Sequence, residues 1–297
     1  ATGGLQGNDY SGGITAISDD GRFVAFESQA SNLVAGDTNA AVDVFVRDRA
    51  VGVTHRASVS TAGDQGNNFS AAWSMSSDGR FVAFSSTASN LVSGDTNGRN
   101  DVFVRDMQTG TTTRVSVSTS GAQGLDASGF ASISADGRYV SFSSAATNLV
   151  LGDTNGFWDD VFVHDRQNGT TTRVSVSTSG AQGNFGSMAN SISADGQQVC
   201  FGSFASTLVA DDTNGVNDVF VHDRRTQATT RVSVRTGGEQ GNNSSDYYCS
   251  ISGNGRVIAF ESVATNLVIA DTNGASDAFV RDQGPSEPVF VSGFESP

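Results

Sequence analysis

Short apolar runs recur along the chain and are apolar at successive positions rather than alternating. Examples are residues 23–26, 139–142 and 257–260, which read Phe-Val-Ala-Phe, Tyr-Val-Ser-Phe and Val-Ile-Ala-Phe. Strands of this kind are buried on both faces. The run at 112–117, Thr-Thr-Arg-Val-Ser-Val, alternates instead, as a half-exposed outer strand does. No segment shows the period of an amphipathic helix, so the pattern predicts an all-β protein.

Turns of the type Asp-Gly or Asn-Gly separate these runs and set a repeat period. Their glycines follow one another at intervals of 58 or 59 residues and are Gly21, Gly79, Gly137, Gly196 and Gly255. Asp-Gly and Asn-Gly favour tight hairpins because Gly and Asn accept positive φ at little cost. Each repeat then contains four short strands, two of them in this hairpin.

Four strands buried on both faces need a neighbouring copy on each face, and radial stacking of the repeats supplies it. The sequence therefore predicts one domain over 1–297, a five-bladed β-propeller with four antiparallel strands per blade. The predicted blades are approximately 1–60, 61–118, 119–177, 178–235 and 236–297. A β-solenoid is disfavoured because its coils are shorter and lack paired Asp-Gly hairpins.

One hairpin in each repeat also resembles a known family. Residues 134–142 read Ser-Ala-Asp-Gly-Arg-Tyr-Val-Ser-Phe, and residues 76–84 and 18–26 are close copies. They resemble the Ser-Pro-Asp-Gly-Lys-x-Ile-Ala-Phe signature of TolB-like (WD40-like, PD40) propeller repeats, without its proline and with a longer acidic loop after the second strand. The resemblance implies an exported binding or scaffolding module that contacts other proteins.

The chain ends affect how the ring closes. We interpret Val289 to Ser292 as the outer strand of the fifth blade, with ring closure by side-chain packing between blades one and five. The alternative is self-association, in which this terminal strand adds to the sheet edge of a neighbouring molecule.

An acidic loop of the form Asp-x-Asn, with a second Asp a few residues later, follows the hairpin in every repeat. Ca²⁺ prefers oxygen ligands gathered from such short segments, and two carboxylates without a compensating Lys would repel each other. We therefore predict about five Ca²⁺ ions, one per blade; the alternative is that the side chains only form Asx turns. The predicted ligands are Asp37, Asn39, Asp43, Asp95, Asn97, Asp101, Asp153, Asn155, Asp160, Asp212, Asn214, Asp218, Asp271, Asn273 and Asp277, with Asp159 as an alternative to Asp160.

The amino-acid composition limits the classes of partner that the protein can bind. The net charge is −14 and all 17 basic residues are Arg, so the chain lacks the basic footprint that nucleic acid or an anionic membrane requires. No apolar stretch is long enough to span a membrane. Cys200 and Cys249 are interpreted as buried small hydrophobes, with a disulfide between neighbouring repeats as the alternative. The protein is expected to be secreted, periplasmic or at the cell surface, in a mature form from which the signal has been removed.

Residues that differ between repeats are the candidates for function. Phe157 and Trp158 interrupt the third acidic loop and are a candidate contact for a protein or a glycan. Other aromatic residues that occur in one repeat only are interpreted mostly as core residues; they are Trp73, Phe185, Phe204, Tyr247 and Tyr248. His164 and His222 replace an Arg before the Asp that closes the third strand, and are interpreted as surface substitutes rather than catalytic bases.

These features predict a calcium-binding module for binding or assembly, without catalytic activity. The alternatives are a lectin-like propeller or a five-bladed glycoside hydrolase. The hydrolase is disfavoured because catalysis needs carboxylates specific to one blade, whereas many acidic residues here occupy repeated positions.

Overall fold

The computed structural model describes residues 2–284 and 290–292, and its regular structure consists of β-strands. The strands form five antiparallel four-stranded sheets, each contiguous in sequence. Sheet 1 contains β1 (Ser11–Ile17), β2 (Phe23–Ser28), β3 (Asp43–Asp48) and β4 (Val53–Arg56). Sheet 2 contains β5 (Ser70–Met75), β6 (Phe81–Ser86), β7 (Asp101–Asp106) and β8 (Thr111–Arg114). Sheet 3 contains β9 (Ser128–Ile133), β10 (Tyr139–Ser144), β11 (Asp160–Asp165) and β12 (Thr170–Arg173). Sheet 4 contains β13 (Ser187–Ile192), β14 (Gln198–Ser203), β15 (Asp218–Asp223) and β16 (Ala228–Arg231). Sheet 5 contains β17 (Ser245–Ile251), β18 (Val257–Ser262), β19 (Asp277–Asp282) and β20 (Phe290–Ser292).

The second and third strands of each sheet carry the core. In β6, Val82, Ala83 and Phe84 are all fully buried, so both faces of this strand are covered, as the successive apolar positions predict. Phe84 pairs in register with Phe103 of β7, and their ring centroids lie 5.6 Å apart. The described part of the chain contains no helix long and apolar enough to cross a membrane.

The hairpin glycines also allow neighbouring sheets to approach closely. Gly137 has φ +73°, and a Cβ built there would lie 2.1 Å from the ring of Phe81 in the preceding sheet. Any side chain at this position would therefore clash with the ring as well as strain the backbone. The guanidinium of Arg166 covers the same ring at 4.5 Å from its centroid.

A ladder of backbone hydrogen bonds joins these turns from sheet to sheet. Asp19 donates to the carbonyl of Ser77, Ser77 to Ala135, Ala135 to Ala194 and Ala194 to Gly253, over 2.9, 3.1, 3.0 and 2.9 Å respectively. The first strands of successive sheets also pack on one another. The five sheets therefore stack in sequence order, with their first strands toward the inside.

The stack does not close between sheet 5 and sheet 1. Within residues 2–284, no backbone hydrogen bond continues the ladder from the Gly253 amide to the Asp19 carbonyl. Ile17 of β1 is 59% exposed, whereas the equivalent Ile133 of β9 is 7% exposed. The predicted closure by packing between blades one and five is therefore wrong.

The uncovered face of sheet 5 shows the same break from the other side. Ala259 is exposed, although Ala83 and Cys200, at the same register position of sheets 2 and 4, are fully buried. Ala278 is likewise exposed where sheet 4 has the fully buried Val219. Within the part of the chain that the structure describes, each terminal sheet thus packs against a neighbouring sheet on one face only.

The open ends give a direct test by matched substitutions. Ile17→Ala is expected to change the free energy of unfolding by no more than about 0.5 kcal/mol, because the side chain is largely in water. Ile133→Ala should cost about 2–5 kcal/mol, because it leaves a cavity between two sheets. Denaturant melts of both variants measure the difference. Equal losses would show that another blade covers Ile17 in solution.

The C-terminal strand lies in the chain's own fifth sheet. Phe279, Val280 and Arg281 of β19 pair in register with Ser292, Val291 and Phe290 of β20. The prediction of an outer strand for the fifth blade is confirmed for 290–292, and Val289 lies outside the described residues. The structure therefore places this strand in cis rather than on the sheet edge of a neighbour.

The two cysteines form a disulfide between sheet 4 and sheet 5. Cys200 of β14 and Cys249 of β17 have Cα atoms 6.3 Å apart and are separated by 49 positions in the sequence. The preferred interpretation as two free buried thiols is therefore wrong, and the alternative, a bond between neighbouring repeats, is confirmed. The reason is geometric: the position of Cys200 faces the first strand of the following sheet.

Candidate functional site

The acidic loop of sheet 2 surrounds an arginine. Arg114, the last residue of β8, has its Nη1 atom 3.3 Å from an Asp95 carboxylate oxygen and 3.4 Å from one of Asp101. The side chain of Asp101 is fully buried, and its other oxygen accepts a 2.6 Å hydrogen bond from Ser116. Burial raises the pKa of Asp101, while Ser116 and Arg114 act in the opposite direction.

Sheets 1, 3 and 4 repeat this arrangement. An arginine at the end of the fourth strand contacts both carboxylates of its loop at 3.2 to 3.6 Å, through the pairs Arg56 with Asp37 and Asp43, Arg173 with Asp153 and Asp160, and Arg231 with Asp212 and Asp218. In the third loop, either Asp159 or Asp160 could have filled the last acidic position. Asp160 is the residue that contacts the arginine. The assumption that the carboxylates lack a compensating cation is therefore wrong for four of the loops.

The loop asparagines of sheets 1, 2, 4 and 5 use both ends of the amide within the protein, whereas the buried oxygen of Asn155 in sheet 3 accepts no hydrogen bond from the described residues. Asn97 Nδ2 donates to Asp101 at 2.9 Å and to the Gly124 carbonyl of the next repeat at 2.9 Å. Its oxygen accepts from the amide of Arg99 at 3.0 Å, which is an Asx turn.

The fifth loop lacks the arginine. Phe279 pairs with Ser292, at the register position where Phe103 pairs with Arg114. Asn273 still donates to Asp277, at 3.1 Å, and accepts from the amide of Ala275. Asp277 of this loop is half-buried, whereas its counterparts in sheets 1 to 4 are buried.

These contacts bear on calcium without testing it. Four loops contain an internal cation, and the described residues contain no group of three or more His, Cys, Asp or Glu side chains that could hold a metal ion. In those four loops the carboxylates pair with an arginine, and the asparagine contacts of loops 1, 2 and 4 match Asx turns. The prediction of about five ions, one per blade, stays a prediction.

The recurring Gln-Gly segment links consecutive repeats. Gln65 accepts from the amide of Thr38 in the preceding loop at 3.3 Å and donates to its hydroxyl at 2.6 Å. The same pair recurs as Gln123 with Thr96 and as Gln240 with Thr213. Gln182 likewise accepts from the amide of Thr154 at 3.0 Å, but it donates to both Asp153 and Asp160, at 2.8 Å each. These glutamines hold the stack together and are not free to line a binding surface.

The histidines are structural but not at the surface. His164 is 6% and His222 1% exposed, and each Nδ1 lies 2.9 Å from a threonine hydroxyl, of Thr171 and Thr229 respectively. Arg105 makes the equivalent bond to Thr112 in sheet 2. Burial lowers the pKa of both histidines. The interpretation as surface substitutes is therefore wrong, although the replacement of Arg is confirmed.

Five aromatic side chains form a continuous surface across three sheets, here called the aromatic row. Their successive ring centroids lie 5.3, 4.2, 6.2 and 5.6 Å apart, in the order Phe157, Trp158, Phe185, Phe204, Tyr247. Phe157 is 78%, Trp158 37%, Phe185 40% and Phe204 41% exposed. The expected exposure of Phe157 and Trp158 is confirmed, but these two residues are only one end of the surface.

The remainder of the row corrects the sequence analysis. Phe185, Phe204 and Tyr248 are exposed rather than core residues, Tyr247 is half-buried, and Trp73 is half-buried and packs against the core between sheets 2 and 3. At the position of Phe185 the other repeats carry Asn or Asp, whose side chains accept from the next backbone amide, as Asn68 and Asp126 do. Repeat 4 therefore lacks this local hydrogen bond and has an exposed phenylalanine in its place.

Neighbouring positions accommodate the row. A Cβ at Gly202 would lie 2.4 Å from the Cα of Tyr247, so only glycine permits this approach; sheets 1, 2, 3 and 5 have Glu or Ser at that register position. The first strand of sheet 5 is one residue longer than those of sheets 2, 3 and 4. Because an exposed apolar surface costs solubility, such accommodation points to use in binding.

Comparison with solved structures relates the chain to known folds. TolB from Acinetobacter baumannii matches 97% of this chain with a TM-score of 0.52 and 16% identity, and the chain spans 56% of that protein. A putative TolB from Agrobacterium tumefaciens gives the same coverage and TM-score with 14% identity, over 84% of its length. An oligogalacturonate lyase solved with manganese matches 95% of the chain, and 67% of the lyase, with a TM-score of 0.54 and 11% identity.

No family model matches the sequence, and no match is found among curated proteins. Identities this low establish the fold alone, and neighbours with that fold include enzymes as well as TolB proteins. The resemblance based on the Asp-Gly hairpins is confirmed at that level: the chain has the fold of the TolB-like propellers.

Proposed function

We propose that this protein is a binding module without catalytic activity, built on a propeller whose blades are the five described sheets, and that its contact surface is the aromatic row. The observation that carries the proposal is the continuity of five aromatic side chains from three sheets. Phe185 stands where every other repeat carries Asn or Asp. Exposed aromatic side chains on a rigid scaffold are typical of the residues that dominate binding energy at interfaces.

The acidic residues support binding over catalysis. The two repeated loop carboxylates of each of sheets 1 to 4 are engaged by arginine, serine and asparagine, as shown by Asp101 with Arg114, Ser116 and Asn97. A glycosidase needs two carboxylates that face one sugar and have distinct environments. The repeated carboxylates instead stabilise the loops.

We also propose that the protein works in an oxidising compartment, secreted, periplasmic or at the cell surface. The disulfide between Cys200 and Cys249 supports this, because such bonds persist outside the reducing cytosol. Self-association, if it occurs, would use the uncovered faces of sheets 1 and 5 rather than the terminal strand β20, which completes its own sheet.

Binding at the row is tested with peptides selected from a displayed random library on the immobilised protein, and with cellohexaose and chitohexaose as glycan probes. Trp158→Ala is expected to weaken binding of a selected ligand at least about tenfold, because this ring contacts both Phe157 and Phe185. Phe69→Ala is the matched control, since Phe69 is 42% exposed and lies outside the row. The proposal fails if no probe binds, or if both variants bind as the unaltered protein does.

For calcium, we propose at most one site, at the fifth loop, where Asp271 and Asp277 have no arginine in register. Equilibrium dialysis at millimolar free Ca²⁺, the range of extracellular modules, is expected to find no more than about one ion per chain. Asp277→Asn should abolish it. Binding of about five ions per chain would instead support the prediction made from the sequence and show that the arginines do not replace the metal.

A further inference from the structure

Asp159, beside the aromatic row, departs from the pattern of the other sheets. The equivalent residues of sheets 2 and 4 are Asn100 and Asn217, whose side-chain amides donate to the Ser128 and Ser245 carbonyls of the next sheet at 2.9 and 2.6 Å. The backbone is the same in sheet 3, where the amide of Ser187 donates to the Asp159 carbonyl at 2.8 Å. An ionised carboxylate cannot donate, so sheet 3 lacks the bond that the asparagines make.

Among the described residues, none forms an ion pair with the Asp159 carboxylate. It is half-buried, and no hydrogen bond or ion pair of its side chain is found within residues 2–284. The nearby arginines are engaged elsewhere: Arg173 pairs with Asp153 and Asp160, and Arg99 pairs with Asp126 at 3.4 Å.

The row and this carboxylate adjoin each other. Asp159 directly follows Trp158, and its charge, with that of Asp246, adds to burial in raising the pKa of Tyr247 at the far end of the row. Aromatic faces attract cations, and guanidinium groups most often. A desolvated carboxylate next to such faces pairs best with a planar group that also donates hydrogen bonds.

The ring orientations decide between a peptide and a sugar. Trp158 and Phe185 are inclined by 31°, but Phe185 and Phe204 meet at 67°, and Phe204 and Tyr247 at 72°. A polysaccharide needs a row of flat faces on which successive sugars stack, and Phe185, Phe204 and Tyr247 meet edge to face and offer no such row. Rings in this arrangement are better suited to contacts with individual side chains of an extended polypeptide.

We propose that the aromatic row binds a partner polypeptide through an arginine side chain, whose guanidinium pairs with Asp159 and lies over the rings of Trp158 and Phe185. This inference rests on the proposed function, because it names the ligand chemistry of the same surface. The net charge of −14 favours the approach of such a cationic segment.

The test uses the pentapeptide acetyl-Gly-Arg-Gly-Arg-Gly-amide and its isosteric neutral analogue with citrulline at both arginines. Binding is followed by Trp158 fluorescence in a Trp73→Phe background, where Trp158 is the only tryptophan. The arginine peptide is expected to bind at least about tenfold more tightly than the citrulline peptide, and added salt should weaken it.

Asp159→Asn is the decisive variant, because asparagine already occupies this position in sheets 2 and 4 and should fold as well or better. It is expected to remove the preference for arginine, while Asp246→Asn, with the same change in net charge, should alter affinity less than about twofold. A citrulline peptide that binds equally well, or an arginine preference that survives Asp159→Asn, overturns the inference.

The outcomes separate this inference from the function on which it rests. If Trp158→Ala lost ligand binding and Asp159→Asn had no effect, the aromatic row would still be the binding surface. The proposed pairing of an arginine with Asp159 would be wrong. No effect of either variant would reject both. Binding of cellohexaose at the row in preference to both peptides would identify a glycan surface. It would also overturn the inference that the row binds an arginine side chain.

Discussion

Replacing Arg114 with methionine is expected to destabilise the protein by about 3–5 kcal/mol, because it leaves the two buried carboxylates of the second loop without their counter-charge. The side chains of Asp95 and Asp101 are 4% and 0% exposed, so water cannot take the place of the guanidinium. Denaturant unfolding at neutral pH measures the loss.

The same variant has a pH signature. Burial raises the pKa of both Asp95 and Asp101, and Arg114 opposes this in each case. Without the arginine their folded-state pKa values rise further above those of the unfolded chain. A carboxyl group of this kind costs stability when it ionises, so the loss relative to the unaltered protein should be smaller at about pH 4.5 than at about pH 7.

Arg99→Met is the matched control for Arg114→Met. Arg99 also contacts an aspartate, Asp126, but their side chains are 56% and 43% exposed, so its loss should cost only about 0–1 kcal/mol. Equal effects of the two substitutions, or a loss at Arg114 that did not change with pH, would contradict the role assigned to the buried arginine. In that case a bound cation would again be the better explanation of the loops.

The repeat, the strands and the hairpin turns were predictable from the sequence because each depends on local chemistry. The turn at Gly137 follows from a positive φ that glycine tolerates, and the burial of 82–84 follows from consecutive apolar residues. The arginine that neutralises the acidic loop in each of sheets 1 to 4 was not predicted from the sequence. Arg114 lies at the end of a strand whose alternating pattern indicates a half-exposed position. The antiparallel register of β7 and β8 brings it back to Asp101, 13 positions earlier.

The aromatic row was missed for a different reason. Phe157 lies in one repeat, Phe204 in the next and Tyr247 in the one after, so only the stacking of sheets makes them neighbours. A usable signal was nevertheless present. Aligning the repeats shows Phe185 in place of an Asn or Asp that caps a turn elsewhere, and a core residue would not replace a surface cap.

Removal of the disulfide by the double substitution Cys200→Ala and Cys249→Ala is expected to lower the free energy of unfolding by about 4 kcal/mol. That value follows from the loop-closure entropy of a crosslink over a separation of 49 residues. The loss should concentrate in sheet 5, which has a covered face only toward sheet 4. Amide hydrogen exchange of β17 to β19 is therefore expected to accelerate first.

The Cys200→Ala half of this substitution introduces a residue that the fold already accepts, because Ala25 and Ala83 occupy the same register position in sheets 1 and 2 and are fully buried. Cavity formation should thus contribute little there, and the effect reports the crosslink. Dithiothreitol should destabilise the unaltered protein to a similar extent and leave the double variant unchanged. If reduction does not alter the melting of the unaltered protein, the packing between sheets 4 and 5 is sufficient without the bond. Sheet 5 would then owe its place in the stack to side chains such as Ile251 and Ile258 alone.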